Sequence, residues 1–272
     1  MPVPNQAVRN LVLLLSLARP ALPYTPAMES QARKPDTAEA TAVLQAVCGK
    51  GAQVKTTPQG LQMYCSPCPD FTSLHGLTTQ QFQLRGVLAG QFAAPGSQDL
   101  AVVFQGCEPL SDSFGGTVLL NKSGAGWKMT RYDSGLSPVS IRAVRLSAGR
   151  DVLFCESNFI GFGLVTNSLF TFDFTQPPVT AREMVFRVSD TTRACGYHIT
   201  RATLDKVTWD GQKPSVTVTW GTMKAPTEYL KDCPDRIPTV ATQTYLLKFV
   251  FDGTSYYPAP ESVATFNQIN LK

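Results

Sequence analysis

Gly90-Gln-Phe-Ala-Ala-Pro-Gly-Ser-Gln-Asp99-Leu-Ala-Val-Val-Phe104, followed by Gly116-Thr-Val-Leu-Leu120, a Gly124-Ala-Gly126 turn and Trp127-Lys-Met-Thr-Arg-Tyr132, is a strand-turn-strand phrase. It comes back twice. The second copy has Ile141 to Leu146, then Asp151-Val-Leu-Phe-Cys155, a stretch read as a loop, and Ser168-Leu-Phe-Thr-Phe172. The third has Ile199 to Leu204, Ser215 to Trp220, a long loop, Tyr245-Leu-Leu-Lys-Phe249 and an Asp252-Gly253 turn before Tyr256. A unit that cannot bury its apolar face alone must stack on its neighbours. The expected architecture is therefore mainly β, a propeller-like array of about three four-stranded units over residues 80–272, with a β-sandwich as the alternative.

Composition agrees with strands and turns. The 272 residues are 43% hydrophobic, enough for a sizeable core, but only 16% charged, with 20 glycines and 20 prolines. A net charge of +4, from 24 basic and 20 acidic residues with no long run of either sign, argues against a nucleic-acid partner.

Upstream of the repeats, Asp36 or Thr37 can cap a short helix over Ala38 to Val47 that Gly49 stops. Gln53 to Thr57, the turn Pro58-Gln-Gly60 and Leu61 to Tyr64 read as a hairpin, and Cys65 to Thr79 as a loop. The C-terminal Phe266 to Lys272 reads as an edge strand. At the other end, Arg9, the apolar Leu11 to Ala18 and the small and proline residues up to Ala27 have the order of a secretory signal, cut after Ala18, Ala21 or Ala27, with 28–36 a linker. About eight apolar residues cannot span a bilayer, which takes roughly 20. The competing reading, a buried N-terminal helix, runs against Pro2, Pro4, Pro20 and Pro23.

The Gly90 to Leu120 stretch resembles the FG-GAP-like repeats of integrin-type and bacterial exported β-propellers, whose blades pair a G-x-F opening and an Asp-led apolar strand with a later V-L-L strand. The resemblance implies extracytoplasmic β blades. The family's calcium loop is here Ala93-Ala-Pro-Gly-Ser-Gln98 with only Asp99 remaining, so calcium is not carried over. Three units leave an open partial ring, a ring completed by the N-terminal hairpin, and a packed sandwich all possible.

Seven cysteines suit an oxidising compartment and leave one unpaired. Aligning Asp151 with Asp99 sets Cys155 in mid-strand opposite Val103, so it is expected to be the free, buried thiol. The loop cysteines are expected to pair as Cys48 with Cys65, Cys68 with Cys107 and Cys195 with Cys233. Cys65-Ser-Pro-Cys68 has the spacing of a redox centre but follows a strand, away from any helix N-terminus. Cys48, Cys65, Cys68 and His75 have the chemistry of a zinc set, against which an exported chain favours disulfides. With two histidines and no nucleophile elbow or H-E-x-x-H helix, no hydrolytic constellation emerges. Asp99 and Asp151, at matched positions, are read as strand-entry turn caps rather than a catalytic pair.

The loops after the Asp-led strands, Cys107 to Gly116, Cys155 to Asn167 and Gly221 to Gln243, fall at equivalent places and should gather on one edge. Phe114, Phe159, Ile160, Phe162 and Tyr229 would make that edge aromatic, unless they fold back as local mini-cores. The expectation is an exported, non-catalytic binding or scaffolding module for a protein or glycan, using no cofactor. A thiol-disulfide oxidoreductase acting through Cys65 and Cys68, or an unrecognised hydrolase, are the alternatives.

Overall fold

The structure is a computed structural model, and it describes residues 32–58, 60–109, 115–138, 140–146, 148–161, 164–178, 182–190, 199–210, 213–223, 241–252 and 255–270. Its first element, α1 (Thr37–Cys48), begins where the Asp36 carboxylate accepts from the Glu39 N–H at 2.8 Å and ends at Gly49, whose φ of +54° breaks the helix. Ala40, Val43, Leu44 and Val47, spaced i, i+3, i+4, i+7, form its buried stripe.

That stripe lies on the first of three antiparallel sheets. Sheet 1 runs in order through β1 (Ala52–Thr57), β2 (Gly60–Cys65), β3 (Phe82–Gly90), β4 (Asp99–Gln105), β5 (Gly115–Ser123) and β6 (Gly126–Ser134). The N-terminal hairpin therefore extends the first unit, joined to it through Tyr64 opposite Gln83 and Cys65 opposite Phe82. Sheet 2 comprises β7 (Ser140–Arg145), β8 (Asp151–Gly161), β9 (Leu164–Phe172) and β10 (Arg182–Asp190). Sheet 3 comprises β11 (Ile199–Asp210), β12 (Lys213–Met223), β13 (Ala241–Phe251) and β14 (Tyr256–Pro258). A final helix, α2 (Val263–Asn270), closes the described chain.

The sheets stack face to face, and β4 shows why its sequence is apolar without interruption. Leu100, Val102 and Phe104 join Val118, Leu120 and the stripe of α1 in one core, while Ala101 and Val103 join Leu119 in the core shared with sheet 2. With both faces covered, the two-residue alternation disappears into a continuous run. β8 repeats the arrangement: Leu153 and Cys155 face sheet 1, and Val152 and Phe154 face sheet 3. β12 instead alternates, with Val216, Val218 and Trp220 inward and the partly exposed Thr217 and Thr219 between them. On β13 the inward Leu247 and Phe249 are separated by Lys248 and flanked by Leu246 and Val250, which are 57% and 37% exposed. Sheet 3 thus has one buried face and one that no described residue covers.

Cross-sheet ties add direction to this packing. Arg131 of β6 donates to the carbonyls of Phe174 and Gln176 beyond β9, both at 2.6 Å, while Asp133 accepts from its guanidinium at 2.7 to 3.0 Å.

Three sequence expectations need correction. The C-terminal segment is the helix α2, not an edge strand: Pro260 opens a 3-10 turn, and Phe266 and Ile269, three residues apart, pack toward Phe186 and Phe249. Residues 155–161 and 164–167 are strand rather than loop, because β8 and β9 pair from Leu153 opposite Phe172 out to Gly161 opposite Leu164. β10 was not read as a strand. A bulge between Met184 and Phe186 puts both Val185 and Phe186 in the core, and this breaks the alternation that would have revealed it.

Candidate functional site

The two ends of the stack differ in how they are built. At one end the Asp99 carboxylate accepts from the Ala93 N–H at 2.8 Å, from the Ser97 hydroxyl at 2.6 Å and from the Asn121 amide. Asp151, leading β8, accepts from the Gln91 N–H at 2.7 Å and from Arg145, and its own N–H donates to the Gln91 carbonyl at 2.9 Å. The two matched aspartates therefore both cap backbone donors, but of the same loop, residues 91–98. One does so within its own turn and the other across sheets. Both are nearly fully buried, and the oxygens of Asp99 are occupied by donors of the chain itself.

This shared loop brings the starts of β4 and β8 together. Trp209, which pairs with Pro214 at the start of β12, packs edge-on against Phe154 near the start of β8, with ring centroids 4.4 Å apart. From there β4, β8 and β12 run on to Gln105, Gly161 and Met223. Those strand ends are where the chain enters the connections singled out in the sequence, of which residues 110–114, 162–163 and 224–240 lie outside the described residues.

On sheet 1 the departure is held from below. Gly106 (φ +94°) and Cys107 (φ +60°) turn the chain sharply after β4, and a Cβ on Gly106 would overlap the Gln81 carbonyl. Cys107 is disulfide-bonded to Cys68, and its carbonyl accepts from the Leu74 N–H at 3.1 Å. Glu108, only 1% exposed, accepts from the Tyr132 hydroxyl at 2.6 Å and from the Ser73 N–H at 3.2 and 3.3 Å. Phe71 completes the base against Tyr132, at 4.8 Å, and Phe82, at 5.9 Å. A buried carboxylate is tolerated when donors replace its water, and these donors come from two separate segments that it therefore fastens together. Sequence reasoning passed over Glu108, for which the strongest available signal was a charged residue between a cysteine and a proline at the end of an apolar strand.

On sheet 2 the same end turns polar. Glu156 takes the place that Phe104 holds in the first unit, on the face toward sheet 3, opposite Ser140 in register. Desolvation pushes its carboxyl above the ordinary range, and the nearby Arg142 guanidinium partly restores it. Cys155, one residue back and facing sheet 1, is the free cysteine among the described residues; it is fully buried, and desolvation drives its thiol far above the usual range despite Arg182.

The remaining sequence candidates fall as follows. Cys48 is bonded to Cys65 and Cys68 to Cys107, so the two sulfurs of the C-x-x-C spacing belong to separate bridges and three of the four zinc candidates are bridge sulfurs. His75 is exposed. Phe159 and Ile160 lie in β8, paired with Thr166 and Val165, rather than in a loop. Cys195, Cys233, His198, Phe114, Phe162 and Tyr229 lie outside the described residues. Among the described residues no group of three histidine, cysteine or acidic side chains has the arrangement to hold a metal ion, and no helix is long and apolar enough to cross a membrane. Comparison with protein-family models, with curated proteins and with solved structures yields no match for this chain.

Proposed function

We propose that the chain is an exported, non-catalytic binding or scaffolding module of the envelope or extracellular space. Its three units are arranged as an open propeller-like array akin to FG-GAP blades, and it engages a protein or glycan through the β4–β5, β8–β9 and β12–β13 connections. The observation that supports this is the contrast between the two ends of β4: carboxylates lock the 91–98 loop before it, while after it the chain leaves over a base fixed by Glu108 and the Cys68–Cys107 bridge. Two disulfides support passage through an oxidising compartment. Separate bridging of Cys65 and Cys68 counts against a redox couple between them.

The test is cosedimentation of purified protein with isolated envelope polysaccharides and immobilised envelope proteins, beside a Phe159→Ser/Tyr229→Ser variant and a control variant, Pro95→Ser, at the opposite end. Retention by one fraction, lost in the first variant and kept in the control, is the expected outcome. Turnover of ester, glycoside or phosphate substrates by the purified protein would overturn it.

A further inference from the structure

The described chain begins with a contact that neither the core nor the proposed binding edge uses. The Arg33 N–H donates to the Val87 carbonyl at 3.0 Å and its carbonyl accepts from the Val87 N–H at 2.9 Å, an antiparallel bridge to the middle of β3. One residue earlier, the Ala32 N–H donates to the carbonyl of Ile141 in β7 at 3.1 Å. Two consecutive residues thus bond β3 of sheet 1 and β7 of sheet 2. β2 pairs with β3 only at Gln83 and Phe82, which leaves the Val87 edge for this segment. The fit is built on both sides. Gly86 lies against the segment, a Cβ built there standing at ordinary van der Waals distance, 3.4 Å from the Ala32 Cβ and 3.5 Å from the Arg33 carbonyl oxygen. Arg33 is clasped by both oxygens of Glu39 in α1, at 2.5 and 2.7 Å, and Pro35 is buried before the helix cap at Asp36.

We propose that Ala32–Pro35 is a built-in strap locking sheet 1 to sheet 2, and that it sets a downstream limit on processing: the leader is removed on the N-terminal side of Ala32. The step is hydrolysis of one peptide bond by a signal peptidase, with water supplying the hydroxyl to the leader's new carboxyl and the proton to the new amino terminus. This rests on the export reading for the cleavage, but not for the strap. A cut after Arg33 would remove the donor to the Val87 carbonyl, the acceptor for the Val87 N–H and the donor to Ile141, leaving strand edges open at the seam between the sheets.

Two measurements test it. The precursor, expressed in a secreting bacterial host, is recovered from outside the cytoplasm and its amino terminus determined by intact mass. A terminus between residues 19 and 32 is expected, and a folded product beginning at Arg33 or later overturns the limit. Retention of the uncut chain in the cytoplasm would sink the export reading while leaving the strap to the second measurement. There, amide hydrogen exchange is followed at Val87 in a chain starting at residue 28, in one starting at residue 36, and in one starting at residue 34, which keeps Pro35 and the Asp36 cap, in case the shortest chain fails to fold. At least tenfold faster exchange at Val87 in the latter two, with β5 amides unchanged, is expected. Unchanged protection at Val87 overturns the strap.

Discussion

Single residues show where burial forces chemistry on the chain. Glu108 is buried between Tyr132 and the Ser73 N–H, so Glu108→Ala strips an acceptor from two donors at the base of the proposed edge. It should cost about 1 to 3 kcal/mol in urea unfolding. Glu108→Gln, which keeps an acceptor, should lose less. Cys155 makes a pH prediction. Its thiol stays neutral in the folded chain at pH values where the unfolded thiol ionises, so stability is complete below the unfolded pKa near ~8.5 and falls above it by about 1.4 kcal/mol per pH unit. Cys155→Ala should flatten that alkaline slope, and native protein should resist alkylation there until unfolded. Asp173 has the opposite sign. Desolvation raises its pKa, but hydrogen bonds from both Nη groups of Arg150, at 2.7 and 2.8 Å, and from Thr175 outweigh it and hold the carboxyl below the usual range. Its contribution is present above the unfolded carboxylate pKa and is lost as pH falls through the folded value. Arg150→Met should therefore be less stable than the native chain by about 1 to 3 kcal/mol at pH 7, and the gap should narrow by pH 3. Asp99 was legible as a cap of its own strand-entry turn, whereas Asp151, expected to make the same bond in its own unit, binds the Gln91 N–H instead. That both would grip one loop was not legible, because the second contact crosses between sheets and depends on how those sheets stack.

Elements were legible where local signals and burial agreed. The helix α1 carries its cap, its stripe and its glycine stop in sequence order, and the β1–β2 hairpin carries its turn at Pro58 to Gly60. α2 was missed although Pro260-Glu261-Ser262 is a helix-start signal, because eight residues hold only two turns of apolar pattern. The outer half of β8 was read as loop since Ser157 and Asn158 are polar. Pairing with Ser168 and Asn167 extends the strand there through backbone hydrogen bonds that leave no mark on composition. The Cys68–Cys107 bridge is the element-level device whose loss should be largest. It closes a separation of 39 residues, so Cys68→Ser/Cys107→Ser should cost about 4 kcal/mol by loop-closure entropy, read as a fall in the urea midpoint. Cys48–Cys65 closes only 17 and should cost about 3 kcal/mol.

At the scale of the whole molecule, three meandering sheets and a helix form layers in which the middle sheet is covered on both faces and the first is covered by α1 and by sheet 2. The sequence points to a mainly β chain and leaves a propeller-like array and a sandwich both open; the layering is marked only by the continuous apolar runs of β4 and β8 that two buried faces require. The proposed binding edge rests on sequence for its position alone. The residues that build the base beside it on sheet 1, Glu108, Ser73 and Tyr132, come from segments brought together by a turn at Cys107 and a bridge at Cys68 that no local pattern announces. The central claim is that this edge, and not the carboxylate-locked opposite end, meets the partner. Site-specific photo-crosslinking in secreting cells tests it most directly, with the photoreactive residue at 159 or 229 on the edge and at 95 on the other end. The account predicts a discrete crosslinked species from positions 159 and 229 and none from 95; crosslinks from 95 alone, or from no position, would contradict it.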